Sequence, residues 1–146
     1  MIVRKMLPQE MDVTVNLFRY YTDEADIEPD ENALVEGIRM FASHYEYCWF
    51  NAYDGQRPIG LIAGCVTKDI YSSDLDAHIN YIFLLESHRN MENFKQLVNR
   101  FEEWAKLVGA KQITAGDIGI NPDRTRKLFT HLGFREGVWL GRSITE

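Results

Sequence analysis

The sequence predicts one layered α/β domain over residues 1–146, with elements in the order β-α-α-β-β-β-α-β-α-β. Three observations carry that prediction. The aromatic run Tyr47 to Tyr53 and the apolar run Ile59 to Thr67 flank the turn chemistry Asp54-Gly55-Gln56-Arg57-Pro58, which reads as a β-hairpin. One wide apolar face then runs through Phe94, Leu97, Val98, Phe101, Trp104, Ala105 and Val108 at helical spacing. That helix separates two strand-like segments, Ala77 to Leu85 and Lys111 to Ala115, so an antiparallel half is joined to a βαβ half.

The other elements follow from local chemistry. Ile2 to Met6 reads as a short strand closed by Pro8, and residues 11–22 as a helix carrying Val13, Leu17 and Tyr20/Tyr21, with Asp12 as its cap. Asp30 caps a second helix whose stripe is Ala33/Leu34, Ile38 and Phe41 and which frays near His44. Asp74-Leu75-Asp76 ends the turn before the strand at Ala77, whose continuous apolar end suits a position covered on both faces. Gly109 stops the long helix, as glycine does just past a helix end. Asn121 and Pro122 form an N-cap and N1 pair opening a helix through Leu132, ended by Gly133, and Val138 to Ile144 reads as a last strand.

Composition bounds the function. Hydrophobic residues at 45% and aromatics at 12% suit a compact core, and no apolar run approaches a membrane span. The first residues carry no secretion signal, which implies a cytoplasmic protein. Cys48 and Cys65 sit in apolar stretches without metal-ligand spacing, so no metal is expected, and a disulfide is not expected in a reducing compartment. The formal charge is −6, and Asp23, Glu24, Asp26, Glu28, Asp30 and Glu31 crowd into nine residues. Such a field repels nucleic acid and favours an amine-bearing or cationic partner, although a merely solvated acidic loop explains it equally. Ser72-Ser73 lacks the glycine-flanked elbow of hydrolases, and no phosphate-binding P-loop or dinucleotide fingerprint is present.

The residues around the long helix sharpen the reading. Leu84-Leu85-Glu86-Ser87-His88-Arg89, Leu97-Val98, Phe101-Glu102-Glu103-Trp104-Ala105 and Val108-Gly109-Ala110 follow one another at fixed spacing, and Leu128-Phe129-Thr130-His131-Leu132-Gly133-Phe134 stands near the C-terminus. Together they resemble the cofactor motif and the C-terminal L-Y-x-x-L-G-F signature of the GNAT acyl-CoA N-acyltransferase superfamily. The likeness covers nearly the whole chain, and small phage and bacterial members are the nearest in kind. It implies a mixed central sheet of about six to seven strands with about four helices, and acetyl-CoA as co-substrate. It places the cofactor against Leu84, Leu85, Arg89, Asn90, Met91, Glu92, Asn93 and Phe94, with Asn121 near the pantetheine arm. The physical reason is general: a diphosphate seeks free N–H groups at a helix N-terminus, and glycines let the backbone come close.

The chain departs from that pattern at telling points. Asn90, Met91 and Phe94 replace glycines, and Glu92 places a like charge in the first helical turn, worth roughly 1 kcal/mol against a bound diphosphate. Counting back from Arg89, the family's strand-borne base corresponds to His78, whose imidazole suits proton abstraction near neutral pH. A half-buried strand histidine bonded to a neighbour explains the same residue. Phe129 replaces the family's acidic tyrosine and donates no proton; Tyr81 and Tyr71 are phenols that compensate or simply pack. Asn121 is also explained as a helix cap, and Arg124, Arg126, Lys127 and Arg135 either meet nucleotide phosphates or form a solvated basic face.

Two functions therefore stand. One is an N-acetyltransferase acting on a small or protein amine drawn to the Asp23–Glu31 segment, as a monomer or homodimer. The other is a catalytically inactive chain of the same fold serving as a binding or phage structural protein.

Overall fold

The computed structural model describes residues 1–116, 119–137 and 142–143. The described chain forms five strands and four helices: β1 (Ile2–Lys5), α1 (Met11–Glu24), α2 (Glu31–Ser43), β2 (Tyr47–Asp54), β3 (Arg57–Lys68), β4 (Leu75–Leu84), α3 (Met91–Leu107), β5 (Ala110–Ala115) and α4 (Pro122–His131). The strands pair in chain order, β1-β2-β3-β4-β5. The first three pairings are antiparallel and β4–β5 is parallel, with α3 as the crossover.

Five strands among the described residues correct the expected six to seven. The strand expected over Val138 to Ile144 lies outside the described residues except for Arg142 and Ser143. The element order otherwise follows the sequence through α4, and no described helix is long and apolar enough to cross a membrane.

Helix ends form where short polar side chains can reach the first turn. Asp30 accepts from the Ala33 N–H at 3.1 Å, Asn90 from Asn93 at 2.8 Å and Asn121 from Arg124 at 3.2 Å. Asp12 is not a cap. The chain enters α1 through a 3-10 turn at Pro8–Glu10, so residue 12 is already helical. Gly109 adopts φ +86°, the left-handed conformation that ends α3 without a Cβ clash.

Alternation along the strands builds a core on each face of the sheet. Cys48, Phe50, Ile62, Ala77, Ile79, Ile82 and Leu84 meet Phe94, Leu97, Phe101 and Ala105 of α3 and Phe129 of α4. Trp49, Leu61, Ala63 and Phe83 turn the other way, onto Val15, Leu17 and Phe18 of α1 and Ile38 of α2. The second core holds polar groups with their partners. The Trp49 indole donates to Asn51 Oδ1 at 3.0 Å, Asn51 Nδ2 donates to Thr14 Oγ1 at 2.8 Å, and Thr14 donates to the Glu10 carbonyl at 2.8 Å. Burial pushes the Cys48 thiol up to about 12, leaving it an inert core group.

Two irregularities of β4 prepare the site. Against β3, Ala63 pairs with Tyr81 and Gly64 with Ile79, so Asn80 is an extra, bulged residue. Against β5, the pairing runs only from Leu75–Ala110 to Ile79–Ala115. Residues 80–84 of β4 thus continue beyond the parallel partner, and the two strands part at the bulge. Gly64 stands at this junction because a Cβ there would lie 2.2 Å from the His78 carbonyl oxygen and 2.5 Å from the Phe101 ring. Gly64→Ala is therefore expected to destabilise by about 3 kcal/mol, at the upper end of ordinary overpacking, and to lower Tm by on the order of 10 °C in a thermal melt.

Candidate active site

A cleft of about 300 Å³ opens where β4 outruns β5. Its walls are Ile82, Phe83 and Leu84 of β4, Arg89, Asn90, Met91 and Phe94 around the start of α3, and Ile120, Asn121, Arg124 and Leu128 around the start of α4. Two helix N-termini face the same space, so partial positive charge from both dipoles gathers at its mouth. The cleft joins an apolar floor to unpaired backbone and one basic rim, the chemistry that an extended amide chain ending in a diphosphate requires.

The start of α3 follows from its residues. Asn90 spends its side-chain oxygen on the Asn93 N–H, and Asn93 Nδ2 donates to the His88 carbonyl at 2.8 Å, which locks the loop before the helix. The N–H groups of Met91 and Glu92 stay without an intrahelical partner, as the first turn dictates. Phe94 stands where the family pattern expects glycine, and its ring turns into the core, 5.0 Å from that of Phe129. Phe129 is itself buried there and packs on Phe134 at 4.9 Å. The missing loop glycine and the missing tyrosine hydroxyl thus belong to one packing unit, in which the rings of Phe94 and Phe129 meet edge to face.

The structure brings Leu84, Arg89, Asn90, Met91, Phe94 and Asn121 together around the cleft. It places Leu85, Glu92 and Asn93 outside the lining. The Leu85 N–H is taken by the Ile59 carbonyl at 2.8 Å, and Glu92 points to solvent, which weakens its expected repulsion of a diphosphate by screening. Of the basic residues near α4, Arg124 lines the cleft, whereas Arg126 and Arg135 line a larger cavity of about 1100 Å³ that follows β5.

His78 belongs to that second cavity. It pairs with Thr114 of β5 just before the strands part, and its Nδ1 lies 2.7 Å from Thr114 Oγ1. Ile82, at the near edge of the cleft, is roughly 13 Å further along the strand. Burial lowers the imidazole pKa, so His78 is neutral at pH 7.

Two participants carry no signal in the sequence. Glu24, the last residue of α1, accepts from Arg89 Nη2 at 2.6 Å across a separation of 65 residues. The same guanidinium donates through Nε to the Leu84 carbonyl at 2.8 Å and lies over the Phe83 ring. Asn80, the bulged residue, keeps a buried Oδ1 without a hydrogen-bond partner beside the parting strands. A surface chain adds to this frame: Ser87 Oγ meets His88 Nδ1 at 2.8 Å and His88 Nε2 meets Asp54 at 2.9 Å, tying the hairpin turn to the loop before α3.

With that geometry in place, comparison with known proteins is decisive for the family. Residues 13–134 match the family model described as Acetyltransferase (GNAT) family. The chain belongs to the GNAT acetyltransferase family. The GNAT fold is repeated in solved structures of low sequence identity. A probable acetyltransferase is 15% identical with a TM-score of 0.83, covering 100% of this chain and 98% of that one. AAC(6')-Iy in complex with the bisubstrate analogue CoA-S-monomethyl-acetylneamine is 20% identical with a TM-score of 0.80, covering 99% and 98%. The aminoglycoside 6'-N-acetyltransferase AAC(6')-IG from Acinetobacter haemolyticus is 14% identical with a TM-score of 0.79, covering 99% and 100%. No curated protein sequence matches this GNAT chain.

Because Phe94 serves the core more than the cleft, Phe94→Ala is expected to lower stability by about 3–5 kcal/mol, the range of a buried phenylalanine truncation. Urea denaturation monitored by circular dichroism measures it; a loss below about 1 kcal/mol would mean that the Phe94–Phe129 contact holds nothing.

Proposed function

We propose that this chain transfers an acetyl group from acetyl-CoA to a primary amine. The observation that carries the reading is the open cleft between the parting strands β4 and β5, with free N–H groups of α3 at its mouth. The altered loop has not filled it. Phe94 turns inward, Glu92 turns outward, and the backbone donors survive the loss of the glycines. The residues therefore fit the cofactor: the Met91 and Glu92 amides with Arg89 and Arg124 for the diphosphate, and the unpaired edge of β4 for the pantetheine amides.

Acetyl-CoA supplies an activated thioester carbonyl. The chain's part is to hold that carbonyl near the bulge and to take a proton from the attacking amine. His78 is the proposed base. Its lowered pKa keeps it unprotonated at neutral pH, and the contact of Nδ1 with Thr114 Oγ1 holds the ring in place; when Nδ1 carries the proton, Nε2 is the basic atom. Phe129 offers no proton to the departing sulfur, so in this reading the sulfur leaves as a thiolate and takes its proton from solvent. The acidic connection between α1 and α2, which includes Asp26, Glu28 and Asp30, raises the local concentration of cationic acceptors. The aminoglycoside acceptors in the names of the neighbours agree with an amine, and the particular amine is left to experiment.

Phe129 also favours a second reading, a chain that keeps the cofactor cleft but has lost turnover. Titration with acetyl-CoA separates the readings from one without any cofactor. Stabilisation of about 2.7 kcal/mol at one hundred times Kd is expected in differential scanning fluorimetry, and no shift at millimolar acetyl-CoA ends the transferase proposal. Binding without CoA release across a panel of amines supports the retired form.

For turnover, His78→Ala is expected to lower kcat by about 10²- to 10⁴-fold while the Kd for acetyl-CoA stays near wild type. A base with a lowered pKa is deprotonated down to below its ordinary value. The wild-type kcat/KM should therefore hold from pH 8 to about 6.5 and fall only at more acid pH. An inflection above pH 7 assigns the base to another residue.

A further inference from the structure

The cofactor cleft and the acidic α1–α2 connection lie on different elements, yet one side chain joins them. Arg89 closes the loop before α3 and Glu24 ends α1, and the pair meets at 2.6 Å with both groups partly exposed. Arg89 is a wall of the cleft, so its guanidinium is the cation that stands nearest an arriving diphosphate from the loop side. In this structure that cation is already neutralised by a carboxylate. Beyond Glu24 the chain turns sharply, with Asp26 in the left-handed region at φ 56°, and Ile27 N–H closes back on the Thr22 carbonyl at 2.8 Å. The connection from Ala25 to Asp30 therefore leaves the body of α1 at the very residue that Arg89 holds.

We propose that Glu24 is the resident counter-ion of Arg89, exchanged for the diphosphate when the cofactor enters, so that cofactor binding releases the acidic connection for the amine. The inference rests on the cofactor reading above and adds a coupling between the two substrates' sites. The physical basis is competition. A guanidinium offers its fork to one carboxylate or one phosphate, and a diphosphate carries the greater charge and binds in paired fashion. The Nε bond to the Leu84 carbonyl can persist during the exchange, which keeps Arg89 anchored while Nη2 changes partners. Once Arg89 has turned to phosphate, Glu24 and its acidic neighbours repel the same diphosphate and are driven apart from it. By linkage, whatever loosens Glu24 tightens the cofactor by the same factor.

The test uses the full chain and needs no knowledge of the acceptor. Isothermal titration with CoA is expected to show Glu24→Gln binding about two- to fivefold more tightly than wild type, the range of removing one partly exposed ion pair. Arg89→Ala should weaken CoA binding, and adding E24Q to it should then tighten binding by a smaller factor than E24Q does in wild type. Hydrogen exchange supplies a readout that a merely structural pair would not move. CoA should raise exchange over residues 24–30 in wild type, whereas pantetheine, which lacks the diphosphate, should not; in E24Q exchange there should already be high. If Glu24 only braced the fold, E24Q would bind CoA equally or more weakly, or exchange would fall on binding. Either result overturns the inference while the cofactor reading stands. If wild type binds no CoA, the cofactor reading fails and this coupling fails with it.

Discussion

The site depends on one constraint, the unequal lengths of two parallel neighbours. β5 stops pairing at Ala115 opposite Ile79, but β4 runs on to Leu84. On the side of β5, backbone groups in that extension face no strand among the described residues, and a buried unpaired amide is costly unless a ligand or water meets it. The bulge at Asn80 turns β4 at the same place, and Gly64 on β3 is the residue that lets the bulge pack against Phe101. An opening, a bend and a glycine are therefore a single solution. The helices α3 and α4 start beside it, so the cleft acquires its electropositive mouth from topology before any charged side chain is counted.

This arrangement explains why the replaced glycines leave a usable cleft. Glycine in such a loop serves backbone approach, but the donor is the amide itself. Phe94 keeps the amides in place by packing downward on Phe129, and Asn90 replaces a flexible loop with a capped helix start. The lost catalytic phenol and the lost glycine occupy facing positions of one apolar contact. Their joint departure from the family pattern is a repacking of the α3–α4 seam.

Much of the fold was legible because its signals are local and periodic. The long face of α3, the hairpin around Gly55 and the caps at Asp30 and Asn121 are set by residues a few positions apart, and each appears where the pattern puts it. Asp12 misled because a 3-10 turn had already begun the helix, a matter of tertiary entry angle that spacing does not encode. The stretch from Leu84 to Phe94 was legible as the segment that resembles the family's cofactor motif, but not which of its side chains face inward. Alternation and helix phase sent Phe94 to the core and Glu92 to water. Glu24 was legible only as one acid among six; its contact with Arg89 is made by folding alone. Asn80 likewise became conspicuous only when the register with β3 slipped by one residue.

The two cores lie on opposite faces of the sheet, and among the described residues only the partly buried Leu85 packs against both. Contacts of α1 and α2 stop at Trp49, Leu61 and Phe83, and those of α3 and α4 stop at Phe50, Ile62 and Ile82, with a layer of backbone between them. Substitutions on the two sides should then add nearly independently, as distant sites do. The helices α1 and α2 can therefore be recut without reshaping the seam between α3 and α4, because a rigid sheet insulates one layer from the other.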